Sequence, residues 1–189
     1  MTDLNTILRR LAGACVLGLG LAGAPQSGLA AEKLITFDAP ATVTCIGKCA
    51  DGEALELAIQ RAGVEPKFDN NLEPKDLDET KTLFLTVGGA AGTNVKDEIA
   101  RANRLIDQAV KADAQIVIVQ ISARSASDTV TEQLLKAVLP RSNVIIVIPD
   151  VDPDGLIQKT ADSNGIPLRS AKSKVFLPEL IKAAFGSGT

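Results

Sequence analysis

Four short apolar runs dominate this chain and limit what it can fold into. They are "TVTCI" (42–46), "TLFLTV" (82–87), "QIVIVQI" (115–121) and "NVIIVI" (143–148). All are rich in β-branched residues and nearly continuous rather than alternating. A strand with one face in water alternates; a strand covered on both faces does not. These runs therefore predict buried strands of a parallel sheet. Two weaker candidates are "KFD" (67–69) and "PLRSA" (167–171).

Helical stripes fall between the runs. Leu55, Ala58, Ile59 and Ala62 repeat at i, i+3, i+4, i+7, and Gly63 follows as a stop. Ile99, Ala102, Ile106, Ala109 and Val110 form a second stripe, with Asp97 and Glu98 in its first turn, where the helix dipole favours carboxylates. A third helix is predicted over about 128–138, with Val130, Leu134, Leu135 and Val138 inward and Thr129-x-x-Glu132 as its capping box. A fourth opens at Asp152-Pro153, a cap followed by proline at the first helical position, and ends before Gly165. A fifth runs from Pro178 to Phe185. The order β-α-β-β-α-β-α-β-α-β-α predicts a three-layer α/β/α fold with a mostly parallel sheet of five to six strands. We expect the flavodoxin-like order 2-1-3-4-5, with the last weak strand outside strand 5.

The first 31 residues read as a leader, not as fold. Arg9 and Arg10 precede the apolar "LAGACVLGLGLAGAP", and "SGLAAEK" offers small residues for cleavage after Ala30 or Ala31. The apolar run falls short of the ~20 residues a membrane span needs, so no stable span is expected after cleavage. Residues 32–41 form a lead-in, and 42–186 form one domain. The expected location is periplasmic or extracellular, where disulfides persist.

Composition removes several chemistries. The 189-residue chain has no His, Trp or Tyr and a formal charge of -3 at pH 7. Without His, Ser-His-Asp and Cys-His catalysis and His-containing zinc sites are excluded. No Lys/Arg run suggests nucleic acid as a partner.

Three stretches carry a family resemblance: "VTCIGKCADGEAL", "TLFLTVGGAAGTNVKDEIAR" and "DPDGLIQKTADSNGIPL". Together they resemble a family of exported bacterial domains of unknown function with a flavodoxin-like fold. The resemblance spans most of the chain from about residue 40 and implies no activity. It implies serines in the first loop, where this chain has Cys45 and Cys49.

In open α/β sheets, ligands bind beyond the carboxyl ends of the strands, where the strand order reverses. The loops expected there contribute Gly47 and Lys48, then Gly88, Gly89, Thr93 and Asn94, then Ser122 and Arg124. Glycines let backbone N–H groups approach a ligand, and a helix start attracts anions. A side chain at Gly89 should crowd that approach without unfolding the domain. No G-x-G-x-x-G occurs, and no Lys-Ser/Thr follows Gly92. Thr44, Gly47 and Cys49 echo a flavin phosphate loop. With no Trp or Tyr to cover the ring, flavin is disfavoured and no cofactor is expected. The low-molecular-weight phosphatase pattern fails for want of an arginine after the cysteine.

Asp150, Asp152 and Asp154 before Gly155 resemble half of a calcium loop, but Ala161 stands where the bidentate Glu belongs. A helix N-terminus that favours carboxylates explains them better, so no metal is expected. Cys45 and Cys49 are expected to form a disulfide, because the compartment oxidises and Gly47 lets the chain turn between them. C-x-x-x-C is not the usual redox spacing, yet Cys49 precedes a helix N-terminus that favours a thiolate, so a thiol-disulfide oxidoreductase stays open. The leading expectation is a non-enzymatic module for a small anionic or polar ligand. A module that binds an envelope protein is the third reading.

Overall fold

The computed structural model describes residues 35–125 and 128–186, all inside the compact unit Lys33–Thr189. The leader read at 1–31 lies outside the described residues. Strands β1 (Ala41–Gly47), β2 (Lys67–Phe68), β3 (Thr82–Gly88), β4 (Gln115–Gln120), β5 (Val144–Val147) and β6 (Leu168–Ser170) form one sheet. Its order is β2-β1-β3-β4-β5-β6, and every pairing is parallel. The fold is therefore the three-layer, flavodoxin-like arrangement that the apolar runs predict, with the sixth strand outside the fifth.

Helices cover both faces because alternate residues of each strand point to opposite sides. Leu83, Leu85 and Val87 join Ile116 and Ile118 in one core, against α2 (Val95–Lys111), α3 (Thr129–Val138) and α4 (Leu156–Asn164). Val43, Phe84, Val117 and Val119 form the other core, against α1 (Asp51–Arg61) and α5 (Leu177–Ala184). The lead-in joins this second core. Phe37 is buried, stacks edge-on against Phe84 at 5.3 Å, and donates its N–H to the Ala184 carbonyl at 2.7 Å. Among the described residues no helix is long and apolar enough to cross a membrane.

Three local expectations need correction. Val110 points to solvent at 62 % exposure, and Leu105 takes the buried place on α2. Thr129 does not cap α3; Asp128 does, accepting from the Thr131 N–H at 3.0 Å. Aspartate one residue earlier reaches that amide, so Thr129 becomes the first helical residue. The third correction concerns α4, which begins at Leu156 rather than at Pro153. Asp150 and Gly155 both take positive φ, and the Gly155 N–H bonds the Asp152 carbonyl, so the chain makes a turn before the helix. Asp152 still caps from outside, accepting from the N–H groups of Ile157 and Gln158, both at 3.0 Å.

Candidate ligand site

The β1/β3 register builds the site. Gly47 lies beside Gly88, the last pair of a seven-residue ladder. The two loops leave the sheet together and nearly touch. A Cβ at Gly88 would lie 2.7 Å from Cys49 Cβ, and one at Gly47 would lie 2.2 Å from the Gly88 carbonyl oxygen. Gly47 also has φ +94°, which disfavours any side chain. The Lys48 N–H donates to the Gly88 carbonyl at 2.8 Å, and its ammonium reaches the Gly92 carbonyl at 3.3 Å.

Cys45 and Cys49 are bonded through sulfur across this turn, with Cα atoms 6.3 Å apart. That spacing is within the range a disulfide needs, about 4.4–6.8 Å. Cys49 Sγ is also 3.5 Å from the Thr86 hydroxyl on β3. Beneath the turn, Glu98 of α2 accepts from the Gly47 N–H at 2.8 Å and from Arg101 at 2.9 Å. Arg101 in turn donates to the Cys45 carbonyl at 2.5 Å. An ion pair from α2 thus clamps the end of β1 where the turn begins.

A half-open hollow of about 230 Å³ lies between this turn, the β3–α2 loop and the β4–α3 loop. It brings together five of the residues expected from the sequence: Lys48, Gly88, Gly89, Ser122 and Arg124. Thr93 and Asn94 do not line it. The Thr93 hydroxyl accepts from the Ala90 N–H, and Asn94 caps α2 by accepting from Asp97 N–H. Gly47 lines a neighbouring hollow on the other side of the turn, about 510 Å³, with Arg101, Glu98, Asn70 and Asn71.

The Gly89 amide of the glycine loop is already engaged by α3. The Gly89 N–H donates to the Thr131 hydroxyl at 2.7 Å, and that hydroxyl donates to Asp128 at 2.6 Å. A side chain at Gly89 would strike Val130 Cγ1 at 2.3 Å. Substitution there costs packing against α3, contrary to the expectation that it would leave the domain intact.

The charge in the hollow comes from its side chains. Arg124 is buried, with a side chain 1 % exposed, and pairs through Nη2 with Asp154 in the loop before α4. Its Nε and Nη1 are buried without a partner among the described residues. Gln120 Nε2 donates to the Ser122 carbonyl at 2.9 Å. That carbonyl requires a donor, which fixes the amide orientation and leaves Gln120 Oε1 buried without a partner among the described residues. Asp51, at the start of α1, accepts from both the N–H and the hydroxyl of Ser122, at 3.0 and 2.6 Å.

Sequence reasoning missed Gln120, Asp128 and Thr131. One signal was available: Gln120 is a polar residue interrupting the apolar end of "QIVIVQI". Asp154, in the acidic stretch 150–154, is the counter-ion of Arg124, and Asp152 is occupied as a cap. Among the described residues no group of three or more Cys, Asp or Glu side chains is placed to hold a metal ion.

A comparison with curated proteins gives no match. The family comparison matches residues 38–185, nearly the whole described domain. That match, over more than three quarters of the 189 residues, shows the family: the chain belongs to DUF6305, a domain of unknown function.

Proposed function

We propose that this domain binds a small polar or anionic ligand in the hollow at the C-terminal ends of β1, β3 and β4, and does so outside the cytoplasm. Arg124 carries the reading. Burying a guanidinium is costly, and leaving its N–H groups unpaired adds the full desolvation penalty, about 1–3 kcal/mol per group and more when charged. Asp154 compensates one edge of it. A ligand in the hollow compensates the rest. The leader-like opening of the sequence and the Cys45–Cys49 bond support export.

Amide shifts of ¹⁵N-labelled protein, screened against small carboxylates, amino acids, phosphates and sugars, test this. A binder should move residues 48–51, 88–89 and 122–124 together, and Arg124→Lys should weaken it. Shifts confined to other surfaces, with these loops silent, would overturn the proposal.

A second reading is thiol-disulfide exchange. Cys49 lines the hollow and stands one residue before the Ala50 cap of α1, where the helix dipole favours a thiolate. An insulin-reduction assay decides it: turnover lost in Cys49→Ser would put exchange ahead of binding.

A further inference from the structure

The charges around the hollow narrow the ligand further. We infer that it is a small zwitterion of the α-amino acid type, its carboxylate on Arg124 and its ammonium toward Gln120 Oε1 and Asp128. This rests on the hollow being a binding site.

Three observations point the same way. The first is size: a half-open hollow of about 230 Å³ has room for a molecule as small as an amino acid.

The second is charge. Lys48 and Arg124 line the hollow, but so do Asp51 and Asp128, and Asp154 already sits on Arg124. Cations do not outnumber carboxylates here. A dianion such as phosphate would face two carboxylates, and like charges in a partly dehydrated site repel strongly. A ligand of zero net charge, with its ends of opposite sign, meets no such cost.

The third is the pattern of unpaired groups. Arg124 Nε and Nη1 need acceptors, and Gln120 Oε1 needs a donor. Gln120 is 2 % exposed and Arg124 6 %, so solvent does not readily meet either need. A ligand that accepts at one end and donates at the other would meet both needs. Asp128 adds to the donating end's preference for positive charge. Its oxygens each take one bond, from the N–H and hydroxyl of Thr131, and each keeps accepting capacity.

The experiment uses two near-isosteres and one anion. Alanine, lactate and inorganic phosphate are titrated into the full chain, with amide shifts as the readout. Alanine and lactate share the carboxylate and the methyl group and differ in ammonium against hydroxyl. Alanine should bind roughly tenfold or more tightly than lactate, with phosphate weaker still, since a single partly buried opposite charge supplies a factor of that order. Asp128→Asn then gives a signed check. Asparagine caps helices as well as aspartate, so α3 keeps its start while the charge is removed. Alanine should weaken about five- to tenfold in this variant, and lactate should hold or improve. A merely structural Asp128 would weaken both alike. Lactate or phosphate binding as tightly as alanine would overturn the zwitterion and leave the binding site standing. Equal loss of alanine and lactate in Asp128→Asn would also overturn it. Silence of these loops toward all three, while another polar ligand moves them, overturns the zwitterion alone. Silence toward every class screened overturns the site as well.

Discussion

Arg124 and Asp154 form an ion pair in which one partner is sealed and the other is open: the arginine side chain is 1 % exposed, the aspartate 45 %. The guanidinium donating to it holds the Asp154 carboxyl below the usual aspartate range, helped by the Leu156 N–H. A depressed folded pKa stabilises the fold at pH above the unfolded value and ceases to do so as pH falls through the folded one. Asp154→Asn should therefore cost stability near neutrality and progressively less in acid. A fully buried pair broken on one side costs about 3–5 kcal/mol; solvent at Asp154 screens this one, so about 1 kcal/mol is expected. The gap between thermal melts of the two proteins should narrow as pH falls below the usual aspartate range. A gap that stays constant with pH would show that the pair does not titrate as described.

Gly47 and Gly63 share a positive φ, +94° and +92°, but not a neighbourhood. A Cβ at Gly63 meets nothing within 4 Å, whereas one at Gly47 meets the Gly88 backbone at 2.2 Å. Gly63→Ala should cost about 1 kcal/mol from backbone strain alone. Gly47→Ala should cost about 3 kcal/mol or more, because two adjacent strands must separate. Chemical denaturation of the two variants compares them directly, and equal losses would show that the contact with Gly88 is slack.

Glu98 and Arg101 hold the turn from below, so the turn should loosen when they are changed. Glu98→Ala removes the acceptor of the Gly47 N–H and leaves Arg101 with only the Cys45 carbonyl among its described partners. Hydrogen bonds to charged groups contribute about 1.5–3 kcal/mol, so global stability should fall by about 2 kcal/mol. Glu98→Gln keeps an oxygen and should cost less. Hydrogen exchange at Gly47 should accelerate in the alanine variant well beyond the global loss.

The Cys45–Cys49 bond should withhold both thiols from alkylation in denatured, unreduced protein, read on peptides that separate them from Cys15. Its closed loop is only four steps long. The stabilisation on the chain-entropy account therefore falls below the roughly 3 kcal/mol of a 15-residue loop. The double serine variant should stay folded, with a melting point lowered by only a few degrees.

Much of the fold was legible because parallel strands covered on both faces leave long apolar runs. "TLFLTV" and "NVIIVI" mark β3 and β5 to within one or two residues. The helix starts were harder to read. Asp152 looks like a cap and is one, but it reaches its helix across a turn set by two positive-φ residues, which local pattern does not reveal. Within the site, Lys48, Gly88, Gly89, Ser122 and Arg124 followed from topology, since any loop leaving the carboxyl end of a central strand meets its neighbours there. Asp154, 30 residues beyond Arg124, did not. Nor did Glu98, 51 residues beyond the Gly47 amide it holds. Such pairings depend on how far a side chain extends from one loop to the next, and spacing along the chain carries no record of that.

The β1 turn is a partition as well as a loop. Lys48, Cys49 and Ala50 border the hollow that holds Arg124 and also the one that holds Arg101. A spectroscopic signal from these three residues therefore reports an event without telling its side. The sided reporters lie further out: Gln120 and Thr131 touch only the first space, Asn70 and Asn71 only the second. A titration read from the turn alone would not tell which space is filled, and the outer four amides are the ones that do.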